Sequence, residues 1–194
     1  MKHYVTLLSA ILLSVSLYAQ QHLSILDVPI EGSLENMIHE LTLRGLEQMP
    51  SIAPNIASLR TEHNGQPIDF LVVASENGHQ VYRVVVLTQS KKQWRWLRNE
   101  YNYYKKALTK QYGKPNTVEV FMAPYDTKKK LRRRQLQALN ENRAQWVSFF
   151  NATTADNKPY GTVMLQISPE GPVGRVIIVY EDKAGSDLFA PENK

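Results

Sequence analysis

The chain has 194 residues, 43% of them hydrophobic, with no cysteine and a formal net charge of +5. The lack of cysteine excludes a disulfide scaffold, a thiol nucleophile, a cysteine-based zinc site and a lipid-modified N-terminal cysteine. A chain of this length can bury about two-thirds of its unfolded surface in one core, so it needs no covalent staple.

The sequence opens MKHYVTLLSAILLSVSLYAQQ. Lys2 precedes an apolar run from Val5 to Leu17, and the small Ala19 follows, which is the order of a secretory signal peptide. The run falls short of the ~20 predominantly apolar residues of a comfortable bilayer span. Cleavage after Ala19 is expected, with a signal peptide over 1–19 and a periplasmic or secreted mature protein.

A short strand is expected over 23–30, then a helix through EGSLENMIHELTLRGLEQ, capped by Ser33 and stopped at Gly45. Asn64-Gly65 and Asn77-Gly78 each lie between alternating apolar runs, the strongest short hairpin signal. Counting outward from the turns, Thr61 faces Ile68, Leu59 faces Phe70 and Ala57 faces Val72. In the second hairpin Ala74 faces Val81, Phe70 faces Val85 and Ile68 faces Leu87. Arg60 falls opposite Asp69 on the reverse side. The result is a three-stranded meander over about 55–88, with Val81, Val85 and Leu87 on its apolar side.

Residues 91–112 form a second expected helix. Trp94, Leu97, Tyr101, Tyr104, Leu108 and Tyr112 recur every three or four positions and make one stripe, and Gly113 ends it. Trp96 and Tyr103 lie off that stripe, where an exposed aromatic pair on a basic helix would suit sugar or peptide binding. A strand at 117–122 follows. Three more strands are expected at 145–152, 161–168 and 174–182, and a disordered tail at 185–194.

Between these strands stands KKKLRRR, six cations around one leucine. Bases predominate from Lys91 to Arg143 and acids elsewhere in the mature chain, so the charge is polarised. Export removes nucleic acid from the partners of this run. Solvation is its common fate; the binding alternative makes Lys128, Lys129, Lys130, Arg132, Arg133 and Arg134 a contact for an anionic membrane surface. Whether 126–142 is a helix or a loop is open from sequence, because cations at a helix N-terminus are unfavourable.

The elements imply an α+β fold, with antiparallel strands and helices on one sheet face. A single domain over 20–184 is expected, divisible into two helix-plus-three-strand halves, 22–90 and 91–184. No phosphate loop, nucleophile elbow or dinucleotide fingerprint occurs, and His22, His39, His63 and His79 show no metal-ligand spacing. No catalytic residue, metal ligand or cofactor is therefore assigned.

The combination of DVPIEGSLENMIHELTLRGLE behind a signal peptide, YNYYKKALTKQYGKP at the centre and GRVIIVYED near the end is similar to a group of exported proteins of Bacteroidetes bacteria. The likeness covers most of the mature chain and rests on packing and turn patterns, so it implies export and fold, but no activity and no site residue. The halves also resemble inhibitor-type helix-on-sheet modules in architecture alone, which implies no function. The functional expectation is an exported binding protein for a protein, peptide or envelope glycan, with Trp96, Tyr103 and the 128–134 cations as its contact residues. The alternatives are an assembly subunit of an envelope complex, or an enzyme whose site the sequence hides.

Overall fold

The computed structural model describes residues 21–187 apart from Asn77 and Arg132. The expected signal peptide and residues 188–194 lie outside the described residues. The side chains of Lys130 and Asp187 are likewise not described.

The chain begins with a small hairpin, β1 (Ser24–Ile25) and β2 (Val28–Pro29). Its turn residues Leu26 and Asp27 both take left-handed backbone, at φ 51° and 60°. Helix α1 (Leu34–Leu43) follows; the Ser33 hydroxyl accepts from the Asn36 amide at 3.2 Å and closes its first turn. Gly45, at φ 88°, lets the chain leave the helix.

Four strands come next: β3 (Glu47–Ala53), β4 (Ile56–His63), β5 (Gln66–Ala74) and β6 (Val81–Leu87). The β4–β5 register is the expected one, with Thr61 opposite Ile68, Leu59 opposite Phe70 and Ala57 opposite Val72. Asn64 and Gly65 supply the two positive φ values of the turn. Arg60 Nε donates to Asp69 Oδ1 at 2.6 Å across the strands. The β5–β6 register corrects the sequence reading. Ala74 does pair with Val81, but an irregularity after Val73 inserts Tyr82, so Phe70 faces Val86 and Asp69 faces Leu87. A bulge of this kind shifts every later side chain to the other face. Val84 and Val86 are consequently buried, while Val85 and Leu87 turn to the opposite side.

Helix α2 (Trp94–Tyr112) buries Leu97, Tyr101 and Leu108, with Trp94, Tyr104 and Tyr112 half-buried along the same stripe. The edge strand β7 (Asn116–Phe121) follows. The basic run then resolves into a single turn, α3 (Lys128–Leu131), and a short helix, α4 (Gln135–Asn140), with Arg133 at φ 59° between them. Leu139 and Ala138 are the buried anchors of that segment. Strands β8 (Ala144–Thr153), β9 (Pro159–Glu170) and β10 (Val173–Asp182) run on into α5 (Lys183–Asp187).

All strands but β1 and β2 form one antiparallel eight-stranded sheet, ordered β3-β4-β5-β6-β10-β9-β8-β7. Each half is thus a helix followed by four strands; β3 is the strand the sequence reading omits. The halves meet where β6 pairs with β10. One face carries α1 over β3–β5 and α2 with α4 over β8–β10. A single row across this face reads Gln48, Leu59, Phe70, Val86, Ile178, Leu165, Ser148 and Thr117. The opposite face is left uncovered by these three helices, and the short α5 packs against β6 and β9, with Gly185 against Tyr82.

Candidate functional site

Because α1 and α2 sit over the outer parts of the sheet, the strip above β6 and the end of β10 is left between them. A groove of about 540 Å³ lies there. Its floor is Phe70, Val86, Ile178 and Tyr180; one wall is α2, with Tyr103, Tyr104 and Leu108. The other wall is Arg44 and Leu46 after α1, with Thr61, Glu62 and His63 at the end of β4. The β1–β2 turn closes one end with Leu26 and Asp27. Leu26 is exposed although apolar, and its left-handed backbone is unfavourable for a side chain of that size.

A second hollow of about 250 Å³ continues along α2 and shares His63, Ile68, Tyr103 and Tyr104 with the first. Its polar end is the Lys91–Glu100 ion pair at 3.0 Å, whose carboxylate also accepts from the Thr88 hydroxyl. Tyr103 stands between the two hollows, 60% exposed, with its ring 6.5 Å from His63 and 5.2 Å edge-on to Tyr104.

Two phenols dominate the chemistry. Burial pushes the Tyr104 hydroxyl up to about 12, helped by the negative charge of Glu100. Burial raises Tyr180 as well, with Tyr112 and Tyr104 adding to it. Both are neutral at physiological pH, able to donate and accept hydrogen bonds but unsuited to act as bases. Among the described residues, neither hydroxyl meets a hydrogen-bond partner, and no group of three or more His, Asp or Glu is placed to hold a metal ion. The arrangement can stack and hydrogen-bond a ligand.

Of the residues singled out from sequence, Tyr103 lines this groove. Trp96 is 55% exposed on α2 but belongs to neither hollow. Arg133 faces Lys92 and Arg95 across a separate hollow of about 600 Å³ at the start of α2. Among the described residues no carboxylate pairs with any of these three cations. Lys128, Lys129 and Arg134 are exposed away from the groove. Arg132 lies outside the described residues, and Lys130 is described only as backbone of α3. The sequence reading missed Tyr104, Tyr180, Phe70 and His63, which come together only when the two halves meet. Tyr104 and Tyr180 fall in core stripes of their elements and carry no local mark of a site.

No protein-family model, curated protein or solved structure matches the chain.

Proposed function

We propose that this is an exported binding protein whose interhelical groove takes an envelope glycan. The observation that carries the reading is the pair of half-buried phenols, Tyr104 and Tyr180, in an aromatic groove, without a hydrogen-bond partner among the described residues. Its 540 Å³ falls within the range of about 300–1,000 Å³ usual for small-ligand sites. A sugar ring presents an apolar face to stack on Tyr103 and hydroxyls to meet the two phenols. The rim charges Asp27, Glu62 and Arg44 are mixed in sign, which favours a neutral polar ligand over a strongly charged one.

Export rests on the N-terminal sequence. The anchoring of His22 and Leu23 by Asp182, which starts the fold directly after the expected cleavage site, is in keeping with it. Intact mass of the natively produced protein tests this: a chain beginning at Gln20 is expected, and full-length polypeptide in the cytosol would overturn it.

Binding is tested by isothermal titration against peptidoglycan fragments, bacterial oligosaccharides and unstructured peptides. Tyr180→Phe removes one hydroxyl and keeps the ring, so affinity for the bound glycan is expected to fall about 3–10-fold. Tyr103→Ala should weaken it further through lost stacking. Affinity unchanged in both variants would sink the reading; selective retention of peptides would replace the glycan with a peptide.

A second contact has its own support in Lys92, Arg95 and Arg133, which meet no carboxylate among the described residues and of which Arg133 belongs to the 128–134 run. These cations suit phosphate-bearing headgroups of an anionic envelope surface. Salt-dependent retention on anionic vesicles that disappears on neutralising the run would support the contact, and retention unaffected by that change would remove it.

A further inference from the structure

The two edges of the eight-stranded sheet are built differently. Strand β3 carries Pro50 and an irregular register between Met49 and Ala53, features that block pairing with another chain. Strand β7 has neither: its register with β8 is regular from Asn116 to Phe121, and among the described residues nothing pairs with its outer side. Four exposed apolar side chains, Val118, Val120, Met122 and Phe149, lie at this edge, while β3 exposes Ile52 alone beside its proline and irregular register. Val118, Val120 and Phe149 are 37%, 41% and 46% exposed on the face opposite α1, α2 and α4. Behind them on that face lie Val147 and Met164.

We propose that β7 is a homodimer interface, pairing antiparallel with β7 of a second copy about a two-fold axis at Val118. Such an axis, perpendicular to the sheet, keeps this face of both copies on one side, so only registers that pair even-numbered with even-numbered residues preserve the alternation. The register at Val118 sets Val118 against Val118, and Val120 against Asn116, of the second copy. Glu119 then meets the second copy's Thr117. Centring the axis on Glu119 would instead oppose two carboxylates. Each Glu119 brings its own counter-ion, Lys105 Nζ at 2.6 Å, so the helix side of the seam is neutral at that point. Across the axis Val147 and Val118 of each copy form one unbroken apolar row, which covers side chains that a monomer leaves in water.

A strand of six residues is about 20 Å long. It buries less than a standard interface, so a weak, concentration-dependent dimer is expected.

The chain has no cysteine, so single substitutions give clean cross-links. Under mild oxidation Val118→Cys is expected to form a disulfide-linked dimer roughly tenfold or more faster than Met49→Cys on the other edge, because pairing raises the local thiol concentration. Sedimentation over increasing concentration should show a monomer–dimer equilibrium for the unsubstituted protein. Val118→Lys, a change at an exposed site, should remain monomeric with an unchanged circular dichroism spectrum. A monomer throughout, equal cross-linking at the two edges, or a dimer that survives Val118→Lys would each overturn the proposal.

Discussion

Asp182 is fully buried at the end of β10, and its carboxylate collects groups from both ends of the described fold. Oδ2 accepts from the Leu23 amide at 2.8 Å, while Oδ1 meets His22 Nδ1 at 3.1 Å and the Gly185 amide at 3.3 Å. Removing the acceptor leaves two backbone amides without it, so Asp182→Ala should cost about 3 kcal/mol in denaturant unfolding. A cost under about 0.5 kcal/mol would mean that water replaces the carboxylate there. The tyrosines make a second prediction. Burial raises Tyr101, Tyr104 and Tyr112 to about 12 from the ordinary 10.0, and raises Tyr180 in the same sense. The unfolded chain loses these protons first, so between about pH 10 and 12 it binds fewer protons than the native state. The stabilisation is complete below pH 10 and drains away as pH rises through that window. Phenolate absorbance of the buried rings should therefore appear together with loss of circular dichroism. Full phenolate absorbance in an intact fold would contradict this.

At the scale of elements, what the sequence discloses depends on whether an element's signal is local. The β4–β5 register follows from Asn64-Gly65, whose conformational demands fix a two-residue turn. The register beyond Ala74 does not, because the Tyr82 bulge is a tertiary accommodation with no residue type that announces it. Strand β3 is hidden by Pro50 and Pro54, which argue against a central strand but are tolerated on an edge. Tyr103 is legible as an aromatic off the buried stripe of α2, whereas its neighbours in the groove belong to elements distant in sequence. Helix packing gives a testable case. Gly174 on β10 sits beneath α2 and α4: a Cβ there would lie 2.9 Å from Leu136 Cδ2, 3.0 Å from the Ser168 carbonyl oxygen and 3.2 Å from Leu97 Cδ1. Gly174→Ala should destabilise by about 1–3 kcal/mol through overpacking. Adding Leu136→Ala should cost less in that background than alone, since it removes the closest clash; simple additivity would place the strain on the Ser168 backbone instead.

For the whole molecule, the two helix-plus-four-strand halves share a sheet but are joined laterally along one seam, β6 against β10. Arg83 spans that seam to Glu181 at 2.6 Å, and the core rows run through it without a break. The groove floor takes Phe70 and Val86 from one half and Ile178 and Tyr180 from the other, so the proposed site exists only while the halves are docked. A seam of this kind predicts one cooperative unfolding unit, because separating the halves would expose the apolar centre of the sheet. All three tryptophans, Trp94, Trp96 and Trp146, belong to the second half, so their fluorescence reports on that half alone. Phe70→Ala empties a buried position in the first half and should cost about 3–5 kcal/mol. In a single unit the tryptophan midpoint must move with it, in step with far-ultraviolet circular dichroism. A tryptophan transition that stays in place while dichroism shifts would mean that the halves unfold separately, and the groove between them would then be a hinge.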